Sequence, residues 1–277
     1  MKNEDLDGLK HKLKPVCWAS GNKDCSGDLT KEHVISNSIL KLLGSFSAGL
    51  DDAKISFGTG SFVLKRLCES HNFRLSNYDS EALKLFRGIY EHSKGIDSKG
   101  FLFIGKDKRE LIINKWNLER WYAKTFMNLI LFHTTVFKPE KMPYFPNSHS
   151  ICEQLYNGQA FEPPFGLYLI DPAKPLIKNN AQLSFSLPKG DCRIIHIDGK
   201  KSPTYEVPRF LYTRLLGIEL VGFFNITPHS DQEALGSILK PSVDILSERG
   251  ILDFGGYGYD FHSTELKKKI DSKILFK

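Results

Sequence analysis

Residues 114–136 constrain the fold of this chain more than any other stretch. Trp116, Leu118, Trp121, Phe126, Leu129, Ile130 and Phe132 recur there at helical spacing and fall on more than one side of the helix they predict. A helix with no single polar face has to run through a core, so other elements must pack around it. Pro139, Pro143 and Pro146 then break the chain. Basic and aromatic residues interleave at Lys115, Trp116, Arg120, Trp121, Tyr122 and Lys124. Such a pattern can stack bases and neutralise phosphates. At this spacing it reads more simply as one core helix whose lysines lay their stems on apolar surface and reach water with their ammonium groups.

Around that helix the chain divides into three parts. Residues 1–95 contain two turn-rich stretches, at 20–27 and 44–60, and are expected to be loops around short elements. A short helix is expected at 37–43, a strand at 62–67 and a helix from Asn72 to about His92. Residues 96–150 hold a strand at 100–105 and the central helix. Residues 151–277 change character: 166–170, 182–187, 193–197 and 217–225 are rich in β-branched and aromatic residues and divided by Pro, Gly and Asn, as strands of an antiparallel sheet are. The glycine- and aromatic-rich 254–262 reads as a surface loop. The expected class is α+β.

The 277 residues are 41% hydrophobic, enough for a substantial core without staples. No apolar run approaches the roughly 20 residues of a membrane helix, and no export signal stands at the start, so the expectation is a soluble, cytoplasmic protein that does not engage membranes. An odd count of five cysteines in such a chain argues for free thiols or a metal site over a disulfide framework. Lys and Arg outnumber Asp and Glu by 38 to 32, which suits a polyanionic partner. Much of that excess lies in Lys267, Lys268, Lys269, Lys273 and Lys277, a pattern that ordinarily describes a solvated tail.

Two clusters carry the chemistry: LTKEHVISNSIL at 29–40 and LCESHNFRLSNYDSEAL at 67–83. With Cys17 and Cys25 upstream, they resemble the HNH endonuclease family, whose members read as a cysteine pair, an EHVIP-like strand, and LCxxCN or LCxxCH opening a helix. The resemblance covers residues 15–90. It implies a ββα-metal module hydrolysing phosphodiesters, with DNA as substrate, His33 as general base and Asn72 as a ligand of Mg²⁺ or Mn²⁺. Glu32 stands where the family has a further acidic or histidine ligand. The residue types suit the reaction: hydrolysis needs a base titrating near neutrality and a hard cation with open coordination positions. Adjacent residues of a strand point to opposite faces, so Glu32 and His33 have different tasks unless the strand is bulged. Ordinary roles exist for each: Glu-His as a solvated strand end, Asn72 as a helix N-cap. The family's middle residue, often an Asn that orients the base, has no counterpart between 50 and 66, and Ser36 replaces the proline after EHVI.

Cys68 and His71 have the CxxH spacing that places two ligands on one turn. With Cys17 and Cys25 they make a candidate structural Zn²⁺ site of three sulfurs and one nitrogen, although Ser20 stands where CxxC would put its second cysteine. The alternative is that Cys17 and Cys25 are small buried residues. A second functional class follows from the same residues: a zinc-stabilised module that grips nucleic acid or another protein without catalysis. A cysteine hydrolase using Cys68 and His71 is disfavoured, since two groups on one turn do not also frame a cleft with an orienting partner. A symmetric dimer would suit cutting both strands.

Overall fold

The computed structural model describes residues 17–22, 24–44, 46–50, 53–96, 102–104, 110–136, 142–143, 148–158, 161, 165–170, 181–187, 192–201, 205–215, 218–224, 251–253, 258–259, 266–268 and 273–276. In chain order these form a 3-10 turn at Ser20–Asn22, β1 (Leu29–His33), α1 (Asn37–Leu43), β2 (Phe46–Leu50), β3 (Ala53–Phe57), β4 (Val63–Cys68), α2 (Glu69–His92), β5 (Ser93–Ile96), β6 (Leu102–Ile104), β7 (Glu110–Ile113) and α3 (Lys115–Val136). There follow β8 (Met142–Pro143), α4 (Ser148–Asn157), β9 (Gly166–Ile170), β10 (Ala181–Leu187), β11 (Cys192–Lys201), β12 (Tyr205–Leu215) and β13 (Ile218–Phe223). Short strands β14 (Ile251–Asp253), β15 (Gly258–Tyr259), β16 (Leu266–Lys268) and β17 (Lys273–Phe276) end the described chain. Helices and mainly antiparallel sheets make this an α+β arrangement. No helix among the described residues is long and apolar enough to cross a membrane.

Strands β1 and β4 pair antiparallel, Leu29 opposite Cys68 and His33 opposite Val63, with a register shift between Thr30 and Glu32. Helix α2 follows β4 without a break. It begins at Glu69, three residues before the expected start, because its first amides are satisfied by tertiary partners that local sequence does not reveal. Glu69 N–H donates to the Asp28 carbonyl at 3.0 Å and Ser70 N–H to the Ser26 carbonyl at 3.3 Å. The loop that supplies these carbonyls turns at Gly27, whose φ of 74° and close approach to the Glu69 side chain leave no room for a Cβ.

Helix α3 is central, as its apolar pattern requires. Every residue from 121 to 130 is buried, and Phe126 packs on Phe224 at 5.6 Å between centroids. Trp121 meets Phe86 of α2 edge-on at 5.7 Å, and Phe132 meets Phe62 at 4.6 Å. Each such ring contributes roughly 1.5–3 kcal/mol by leaving water. The helix is started by Asn114, whose Oδ1 accepts from Asn117 N–H at 3.1 Å, while Asn114 N–H donates to Glu81 of α2 at 2.7 Å. The interleaved aromatic and basic stretch is therefore mostly core, with one correction. Lys124 does not reach water: its side chain is 2% exposed and ion-paired inside the protein.

The largest sheet runs β3-β2-β10-β11-β12-β13-β9, all neighbours antiparallel, with β8 parallel to β12. Two of its members lie in 44–60, where turns were expected. Phe46–Leu50 and Ala53–Phe57 pair with each other, and Ser47, Ala48 and Gly49 pair with Ser186, Phe185 and Ser184 of β10. Serine, glycine and alanine carry little strand preference, so pairing along the sheet rather than local propensity makes these strands. β12 was hidden by Pro208, which sits where the β11–β12 register shifts beside Asp198. Most of 254–262 lies outside the described residues, as do Lys269 and Lys277; β15 falls within the expected loop.

Candidate functional site

The β1–β4 pair and the start of α2 bring together two polar clusters. In the first, the ligand atoms of Cys17, Cys25, Cys68 and His71 all lie within 4.8 Å of one another. Cys17 sits just before the 3-10 turn on a segment held to β4 by the Trp18 N–H bond to the Arg66 carbonyl, 2.9 Å. Cys25 is carried by the loop at the start of α2, and Cys68 and His71 lie on either side of the strand-to-helix junction. The three sulfurs stand 3.4, 3.6 and 3.2 Å from His71 Nδ1. With Zn–S near 2.3 Å and Zn–N near 2.0–2.1 Å, a tetrahedral site has S···N edges of about 3.6 Å. The four residues thus fit a zinc-like ion, with Nδ1 as the nitrogen ligand.

The other nitrogen of His71 is equally committed. Nε2 bonds Asp24 Oδ1 at 2.6 Å, and Asp24 Oδ2 accepts from Arg74 at 2.5 Å. Arg74 in turn donates to the Tyr156 carbonyl at 2.6 Å and stacks over the Tyr156 ring. A carboxylate behind a ligating histidine fixes its tautomer and raises its basicity. Desolvation opposes the charge on Asp24, but the bond with His71 Nε2 and the Arg74 guanidinium outweigh it and hold the carboxyl below its ordinary range. Tyr156 of α4 covers the ring of His71 at 4.6 Å, shielding the cluster.

The thiols differ in readiness. Partial loss of hydration and the neighbouring sulfurs push the exposed Cys25 up to about 12, and burial raises Cys17. Burial also works against the Cys68 thiolate, but backbone bonds from His71 and Ser26 prevail and bring it below its ordinary range. Cys68 occupies the N-cap of α2, where free amides favour an anion. Cys152 is buried nearby, its thiol pushed up to about 12 by burial, yet it is not in the four-residue group.

Asp24 was not singled out from sequence; only its adjacency to Cys25 hints at it. Asp24→Asn keeps a hydrogen-bonding group but removes the charge, and it is expected to weaken zinc retention about ten- to a hundredfold. Competition with a chromogenic chelator measures this.

The second cluster contains Glu32 and Asn72. Asn72 lies in the first turn of α2, past the N-cap position, and donates from Nδ2 to Thr30 Oγ1 at 2.9 Å; Thr30 donates to the Leu67 carbonyl at 3.1 Å. Glu32 is 7% exposed and points inward. Burial raises its carboxyl above the ordinary range, opposed by Lys124 and by a hydrogen bond from Asn72. Lys124 Nζ stands 2.6 Å from Glu32 Oε1 and 2.7 Å from Asp79 Oδ2. Ser36, in the place of the family's proline, donates to Asp79 Oδ1 and accepts from Trp121 Nε1 at 2.7 Å. Sequence reasoning missed both Asp79 and Lys124 here.

His33 follows Glu32 with no register shift between them, so its side chain takes the other face of β1. It is half-buried. Burial, aided by Lys124 and Lys41, holds its imidazolium below the ordinary range against a bond to the Thr59 backbone and the charge of Asp79. Asn128 donates to the His33 carbonyl at 3.4 Å.

Comparison with family models, curated proteins and solved structures finds no match to this chain.

Proposed function

We propose that this chain is a metal-dependent endonuclease of the HNH type, hydrolysing phosphodiester bonds in DNA. What supports the reading is one juxtaposition: Glu32 and Asn72 meet between an antiparallel strand pair and the helix that follows it. His33, half-buried, follows Glu32 in β1 with its side chain on the other face of the strand.

Glu32 and Asn72 carry the hard oxygen donors that suit Mg²⁺ or Mn²⁺, and two protein ligands leave positions for water and phosphate; in this structure the Glu32 carboxylate faces Lys124 Nζ and the Asn72 amide, which the ion would displace. Such an ion, when bound, neutralises charge developing on the scissile phosphate and the leaving oxygen. The protein's own groups do the rest. His33, its imidazolium disfavoured by burial, is the group proposed to accept the proton of an attacking water, and it does so from the face of β1 opposite Glu32. Asn128 fixes the strand carbonyl behind the ring. Asn72, tied to Thr30, holds α2 against β1. The Cys17, Cys25, Cys68 and His71 cluster carries a structural role in this reading: zinc there pins the start of α2, and with it Asn72, to the loop before β1.

Plasmid cleavage by Glu32→Gln and Asn72→Ala tests this. Each variant is expected to need at least about tenfold more Mn²⁺ for half-maximal cutting, since each loses an ion donor. Cleavage unchanged in both would remove the proposed ion site. A DNA mobility shift without cutting in the wild type would favour the zinc-stabilised binding module.

A further inference from the structure

Lys124 has no task in the reaction just described, yet it carries a charge inside the core. It lies on the most buried stretch of α3, between Ala123 and Thr125, with 2% of its side chain exposed. Buried ion pairs are often no more stabilising than apolar residues of similar size, so packing alone would be served by leucine or methionine. What the ammonium does instead is occupy a point shared by two carboxylates. Glu32 Oε1 and Asp79 Oδ2 approach one nitrogen at 2.6 and 2.7 Å, from β1 and α2, while Asp79 is further held by Ser36.

A cation gathering buried carboxylate oxygens is the arrangement a divalent ion requires. Without Lys124, Glu32 and Asp79 would present two negative charges to each other in a poorly solvated place. With it, one negative charge remains. We infer that Lys124 is a resident cation that competes with the divalent ion for the Glu32 carboxylate, and so sets how tightly that ion is held. The inference rests on reading Glu32 and Asn72 as donors to such an ion. Asp79, held by Ser36 on its other oxygen, keeps the ammonium when Glu32 turns to the ion. A bare site therefore folds with its charges satisfied and no metal in place. The same ammonium lowers metal affinity, because a dication entering beside it meets a like charge in a low-dielectric setting.

The test is Mn²⁺ binding to the zinc-loaded full chain, read as free Mn²⁺ by electron paramagnetic resonance, for wild type, Lys124→Met and Lys124→Arg. The methionine variant keeps the length of the side chain and removes its charge. It is expected to bind Mn²⁺ at least about tenfold more tightly, because the site gains a full unit of negative charge. It should also melt at lower temperature than wild type without Mn²⁺, and recover on its addition. The arginine variant, with charge preserved, should stay close to wild type. Equal or weaker Mn²⁺ binding by Lys124→Met overturns the inference, as does a methionine variant that stays unfolded with Mn²⁺ present, which makes Lys124 only a structural ion-pair partner. Glu32→Gln and Asn72→Ala separate the two levels. Mn²⁺ binding that depends on both residues but is no tighter in Lys124→Met sinks the role of Lys124 alone. Wild-type binding that is absent, or indifferent to both residues, sinks the ion site and this inference with it.

Discussion

Cys68→Ser is expected to empty the zinc site and destabilise the protein by about 4 kcal/mol or more, within the range for loss of a structural metal. Cys68 has three tasks. It is the last residue of β4, opposite Leu29, so it fixes the end of the strand pair. Its sulfur accepts backbone bonds from His71 and Ser26 at the start of α2. It also stands 3.2 Å from His71 Nδ1 in a group whose other members come from a separate segment and loop. Serine retains a weak cap for the helix but not a soft anionic ligand. Three residues then remain for an ion that needs four. The loop carrying Asp24, Cys25 and Ser26 loses its anchor, and with it go the carbonyls that satisfy Glu69 and Ser70. Zinc content per chain and the thermal midpoint measure the effect together. Zinc retained with an unchanged midpoint would mean the cluster is incidental. Prolonged chelation of the wild type should reproduce the variant.

His33→Ala is expected to lower cleavage by about 10²- to 10⁴-fold while leaving the fold in place, the usual range for removing a general acid or base. The fold should survive because the parts of residue 33 that carry structure are main chain. Its Cα pairs with Val63 across β1 and β4, and its carbonyl accepts from Asn128. Alanine keeps both. What disappears is a half-buried imidazole. Circular dichroism and zinc content at wild-type values, with cleavage gone, is the expected combination. Cleavage maintained in His33→Ala would assign the base elsewhere.

The legible parts of the molecule are those whose signal is local. CxxH placed Cys68 and His71 on one turn, and the apolar pattern of 114–136 marked the central helix. The joining of Cys17 and Cys25 to that pair was expected despite irregular spacing, and the four ligand atoms do converge. Features made by distant partners were not legible. Helix α2 starts at Glu69 because carbonyls of Ser26 and Asp28 receive its amides, which no residue near 69 announces. Lys124 was read as reaching solvent because a lysine on a helix normally does; Glu32 and Asp79, 92 and 45 residues away in sequence, decide otherwise. Helix α4, which seats Tyr156 over His71, was also passed over.

The most direct measurement is the initial rate of plasmid nicking by the zinc-loaded full chain as Mg²⁺ or Mn²⁺ is raised from none. The account predicts no cutting without added ion and a saturable rise with it, nicked circles preceding linear product. DNA that is bound but stays uncut at every ion concentration would contradict it, leaving the Cys17, Cys25, Cys68 and His71 cluster as the support of a binding module.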